Sequence, residues 1–112
     1  MITNTEAVEA YFGYWPEFAD APITRFSFAE GGQFSLTLNY IDADQGLAAE
    51  ITLQFNGVSD VELTNLLTHN VVDRLSPGVA PPFRLEIEAC AGLDGSFAYT
   101  SAQVTDFVIR QP

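Results

Sequence analysis

After about residue 22, apolar and polar positions alternate one by one along most of the chain. Phe26 and Phe28 alternate with Arg25 and Ser27; Phe34, Leu36, Leu38 and Tyr40 interleave with Ser35, Thr37 and Asn39; Ile51, Leu53 and Phe55 interleave with Glu50, Thr52, Gln54 and Asn56. A period of two sends successive side chains to opposite faces of a strand, so each run predicts a strand with one buried face. Gly31-Gly32 reads as a tight hairpin between the first two, and Asp42-Ala43-Asp44-Gln45-Gly46 as the turn into the third. The three runs predict a meander.

Beyond Asn56-Gly57 the spacing of Val58, Val61 and Leu63 is uneven, and is compatible with a bulge, a bend or a reversal. A loop or helical turn is expected around Asn65 to Thr68, then a strand on Val71, Val72 and Leu75 that Ser76-Pro77-Gly78 ends before Pro81-Pro82 resets the chain. Phe83, Leu85, Ile87 and Ala89 alternate with Arg84, Glu86 and Glu88; a turn over Gly92 to Gly95 leads to Phe97 and Tyr99; and Val104 to Ile109 forms a last strand. At the other end, Thr3 and Glu6 stand at capping-box spacing, with Thr5 as a competing N-cap, ahead of a short helix running to about Phe12. Gly13 suits a left-handed C-terminal cap and Pro16 prevents the helix from resuming. The expected fold is therefore α+β and mainly β. It is an antiparallel meander sheet of about six to seven strands, a single twisted layer or one bent into a partly closed barrel, with one N-terminal helix packed on it. A single domain is expected over residues 1–112.

Composition narrows the class. A hydrophobic fraction of 47% and nine phenylalanines suit a packed core, no apolar run approaches the ~20 residues of a membrane span, and no basic-then-apolar leader opens the chain, so a soluble cytoplasmic protein is expected. Cys90 alone cannot form an internal disulfide, in keeping with a reducing compartment. Fifteen Asp and Glu stand against four Arg and no Lys, giving a formal net charge of -11. Such a field repels phosphate backbones and anionic lipid, which argues against nucleic acid and membrane partners, and it speeds encounter with basic proteins.

Candidate chemistry is sparse. Cys90 and His69 are the only nucleophile-and-base pair, without a flanking motif. Glu86 and Glu88 share one strand face but read as a solvated pair. Asp42-Ala43-Asp44-Gln45-Gly46 resembles the start of a calcium loop, yet its glycine comes one place early and Leu53 stands where the bidentate glutamate would fall. No catalytic residue, metal ligand or cofactor is expected.

The densest aromatic stretch is YFGYWPEFADAP over residues 11–22, which holds Tyr11, Phe12, Tyr14, Trp15 and Phe18. Gly13 and Pro16 would set its backbone, Asp20 would hydrogen-bond its own turn ahead of Pro22, and Tyr14, Trp15 and Phe18 would pin the helix onto the sheet. On that reading the segment is a clasp with Trp15 largely buried. The functional alternative is a Tyr-Trp hot spot facing a partner.

The run Phe12-Gly-Tyr-Trp-Pro-Glu-Phe-Ala-Asp-Ala21, followed by an aliphatic strand start, resembles the leading motif of the immunity protein 50 family of bacterial polymorphic toxin systems. Ile51 to Phe55, Gly57-Val58, Val61 to Leu63 and Asn70-Val71-Val72 resemble that family's middle segment, and Gly92 to Phe97 its last hairpin. Two positions depart from it: Ala19 stands where the family commonly has a histidine, and His69 where it has a glutamine. The resemblance implies a small cytoplasmic protein that binds and neutralises a cognate toxin without catalysis of its own. A basic, nuclease-like toxin would match the acidic surface, with Asp42, Asp44, Glu50, Glu86 and Glu88 as the partner-facing candidates. A general interaction or assembly module, and a small carboxylate-based enzyme, are the competing classes.

Overall fold

A computed structural model describes residues 2–112. In chain order the elements are β1 (Ile2–Thr3), α1 (Glu6–Phe12), β2 (Ala21–Ala29), β3 (Gln33–Asp42), β4 (Leu47–Asn56), β5 (Ser59–Thr64), β6 (Val71–Ser76), β7 (Phe83–Ala91), β8 (Asp94–Tyr99) and β9 (Ser101–Arg110). The strands form one open sheet of nine in the order β1-β9-β4-β3-β2-β6-β7-β8-β5. The protein is mainly β with one short helix, as the periodicity predicts, but the expected six to seven antiparallel strands become nine in a mixed sheet. The excess has two sources. β1 pairs in parallel with β9 through Ile2↔Ala102 and Thr3↔Gln103, and a two-residue strand carries no period to read. β5 is the segment left ambiguous by its uneven spacing, and it pairs antiparallel with β8 across a register shift between Ser59 and Glu62.

The sheet bends at β2. That strand pairs β6 only through Ala21 and Pro22, and pairs β3 from Ile23 to Ala29. The inner faces of the two halves meet: Phe34 of β3 and Phe55 of β4 lie 4.9 and 5.2 Å, ring centre to ring centre, from Phe97 of β8. Leu36, Leu38, Ile51, Leu53, Leu85 and Ile87 complete a core that draws on both halves and on α1. Gly57 makes the crossing possible. Its φ of 62° favours glycine, and a Cβ there would strike the Thr100 hydroxyl, whose own bond to the Asn56 carbonyl (3.1 Å) ties the corner to the start of β9. The chain leaves β4 here for the other half rather than reversing beside it.

The helix starts and stops near the expected positions, but the capping box does not form. Thr5 is the N-cap without a side-chain bond, while Thr3 belongs to β1 and donates its hydroxyl to the Ala102 carbonyl at 3.3 Å. Gly13 ends the helix at φ 87° with its N–H on the Glu9 carbonyl. Val8 and Phe12 face the sheet and are fully buried.

Candidate functional site

The segment between α1 and β2 is fixed from several sides before it presents anything to solvent. Gln45 donates to the Phe12 carbonyl at 2.7 Å, the Leu75 N–H of β6 donates to the Glu17 carbonyl at 2.9 Å, and the Ala21 N–H closes onto the Phe18 carbonyl at 3.1 Å. Phe12 and Phe18 are each 1% exposed and pack edge-on against Tyr40 of β3 at 5.1 and 5.8 Å. Phe18 holds φ 64°, a left-handed conformation that a bulky residue keeps only when its surroundings dictate it.

The fully buried side chains of the segment are Phe12, Pro16 and Phe18. Trp15, expected to be largely buried, packs against the core with a minor part of its surface uncovered, whereas its neighbour Tyr14 is 40% exposed. The indole rests edge-on against Phe18 at 5.6 Å, and its uncovered part lines two grooves. Asp20 also differs from expectation. It sits at φ 61°, and its carboxylate takes the Cys90 thiol of β7 at 3.7 Å rather than bonding its own turn.

Trp15 separates two grooves. One, of about 430 Å³, is lined by Ile2, Thr5, Glu9, Trp15, Pro77, Gly78 and Val79. The other, of about 410 Å³, is more polar and is lined by Tyr14, Trp15, Glu17, Ala19, Tyr40, Asp73 and Arg74. In the second, Arg74 already faces Glu17 at 3.0 Å and Glu88 at 3.7 Å. Beside it runs a directed chain of hydrogen bonds. Tyr14 donates to the Asp42 carboxylate at 2.7 Å, so the 2.6 Å bond between the two phenols has Tyr40 donating to Tyr14, and Gln45 donates to the same Asp42 oxygen at 2.7 Å. Burial, then the bonds to Tyr40 and Asp42, push the Tyr14 phenol well above its ordinary pKa; Gln45, then Tyr14, hold the Asp42 carboxyl below its own.

The five carboxylates expected to face a partner are dispersed. Asp42 ends β3 in this network, and Asp44 is exposed on the β3–β4 turn. Glu50 on β4 pairs with Arg110 at 3.6 Å, Glu86 is exposed on β7, and Glu88 pairs with Arg74. β4 and β7 are separated by three strands of the sheet, so the Asp42-Asp44-Glu50 group and the Glu86-Glu88 pair are not brought together. Glu9, Tyr40, Gln45 and Val79 shape the site without having been singled out by the sequence. Tyr40 was placed inward by its alternation; the others lie on a helix face, a turn and a loop that carry no pattern pointing to one another.

The residues weighed for chemistry do not converge. His69 and Cys90 are both exposed, on the β5–β6 loop and on β7. Burial, then Asp73 and Asp20, raise the Cys90 thiol, the opposite of nucleophile activation. Among the described residues no three His, Cys, Asp or Glu side chains gather as a metal site, and no helix is long and apolar enough to cross a membrane. The asparagine beside His69 has a structural task. Asn70, 7% exposed, accepts from the Leu93 N–H (2.9 Å) and the Leu67 N–H (3.1 Å) and donates to the Leu67 carbonyl (2.9 Å), joining the β5–β6 loop to the β7–β8 turn.

Comparison with protein-family models, with curated proteins and with solved structures gives no match.

Proposed function

We propose that this chain is a binding protein that neutralises a basic protein toxin, in the manner of the immunity proteins its leading motif resembles, and that the Trp15 face is the contact surface. The observation that carries this reading is that the resembling residues are the ones that build the face. Phe12, Pro16 and Phe18 are spent on anchoring, while Tyr14 and Trp15 emerge between two grooves with Glu9, Glu17 and Asp73 on their walls. A rigidly backed, partly exposed tryptophan beside an exposed tyrosine in an acidic setting has the make-up of a binding hot spot. The dispersed carboxylates Asp42, Asp44, Glu50, Glu86 and Glu88 then act through the long-range field, speeding association with a basic partner.

A second reading, an assembly subunit, has one observation in its favour. From Thr24 to Ala29 β2 is exposed, Phe26 and Phe28 are 39% and 53% exposed, and among the described residues no strand pairs the outer edge of this stretch.

The test is to sequence the genes flanking this chain's own and co-express it with any large secreted protein found there, read as growth rescue and as a complex on gel filtration. Trp15→Ala should lose rescue while remaining folded, and salt should weaken the wild-type complex, since steering fields are screened over about 8 to 10 Å at ordinary ionic strength. A toxin neutralised equally well by Trp15→Ala would remove the face from the mechanism, and self-association through Phe26 and Phe28 without toxin binding would favour the assembly reading.

A further inference from the structure

The two grooves beside Trp15 differ in one respect that distinguishes their occupants. In the groove that contains Glu17, a cation of the chain itself is already in place, because Arg74 lies 3.0 Å from that carboxylate. The groove on the other side has a carboxylate, Glu9, that takes part in no ion pair among the described residues. Its remaining walls are the indole of Trp15, the apolar side chains of Ile2, Pro77 and Val79, and the hydroxyl of Thr5. Val79 is fully exposed, so its isopropyl group gains no burial from its own fold.

We propose that this groove receives one long cationic side chain, arginine or lysine, from the protein partner. A long aliphatic stem with a charged head matches its walls part by part. The stem covers Ile2, Pro77 and Val79, and the head lies over the indole face and against Glu9. An acidic ligand meets Glu9 inside a field of net charge -11, and a purely apolar side chain leaves the carboxylate desolvated without a partner. The inference rests on the reading of the Trp15 face as a contact surface and specifies the group that anchors there.

Trp15 is the only tryptophan, so its fluorescence reports on the two grooves it lines, and Glu9→Gln assigns the response to this one. The full chain is titrated at low salt with acetyl-Gly-Gly-Arg-Gly-Gly-amide, with the lysine analogue, and with the citrulline analogue, which keeps the shape of arginine and lacks its charge. The expected result is a saturable change for the cationic peptides and at least fivefold weaker binding of citrulline, the scale of one lost partly exposed charge pair. Glu9→Gln should weaken the cationic peptides by about the same factor. Glu30→Gln, which removes the same charge on the β2–β3 turn, should not. The arginine and lysine arms identify which head group fits better.

Equal response to citrulline, no response to any peptide, or equal weakening by Glu30→Gln would overturn the inference. Its failure is separable from that of the broader reading. A toxin complex that depends on Trp15 but ignores Glu9→Gln refutes the groove and leaves the function standing. Peptide binding through Glu9 without any toxin complex does the reverse.

Discussion

Phe18 and Trp15 are neighbours in one motif with different expected responses to truncation. Phe18 is 1% exposed between Trp15 and Tyr40, and the anchored backbone on either side leaves little room for collapse, so Phe18→Ala should cost about 3–5 kcal/mol as a cavity-forming core deletion. Trp15 is partly buried at the rim of the core, where solvent can fill the space left by truncation, so Trp15→Ala should cost less, about 2–3 kcal/mol. For 112 residues the unfolding entropy is roughly 0.24 kcal/mol/K, making each kcal/mol worth about 4 °C of melting temperature. Differential scanning calorimetry should therefore show a fall of about 13–21 °C for Phe18→Ala and about 8–13 °C for Trp15→Ala. The backbone supplies an internal control. At φ 64° alanine keeps the steric penalty that glycine lacks, so Phe18→Gly should be milder than Phe18→Ala by about 1 kcal/mol, the reverse of the order expected inside a regular element. Equal melting losses for Phe18→Ala and Trp15→Ala would show that the indole is a core anchor after all, and the contact-surface reading would lose its basis.

Asn70→Ala should lower stability by about 2–4 kcal/mol in urea unfolding, because it strips the buried Leu93 N–H and the Leu67 N–H of their acceptor; a loss under about 1 kcal/mol would mean that water replaces the side chain. Tyr14 holds its proton more tightly folded than unfolded, so its contribution is fully present below pH of about 10 and declines as pH rises beyond it; Tyr14→Phe should flatten the melting profile between about pH 9 and 11. Asp42 is the mirror case. Its lowered carboxyl contributes above the ordinary value of 3.8 and fades as pH falls below it, so Asp42→Asn should flatten the acid limb, and an unchanged limb would refute a stabilising role for the Tyr14–Asp42 bond.

Sequence alone determined what is local. Alternation at Phe34 to Tyr40, Ile51 to Phe55 and Leu85 to Ile87 is imposed by the two-residue pleat, and the structure buries those apolar positions in phase. Gly13 and the Gly31-Gly32 turn were equally legible, since left-handed φ values select residue types directly. The tertiary structure decided whatever depends on which distant residue lies opposite. A register shift against Thr52 and Leu53 inserts one residue into β9, so Val104 and Phe107 face inward despite an odd spacing that breaks the period. β1 exists only because β9 offers it an edge, and the sheet bends because β2 divides its pairing between β3 and β6. The motif's aromatic residues announced a packed segment but not which rings would be covered. Tyr40 and the anchored backbone claim Phe12 and Phe18, and Trp15 is covered only in part, because the loop Pro77 to Val79 lines with it a groove whose shape no local pattern encodes.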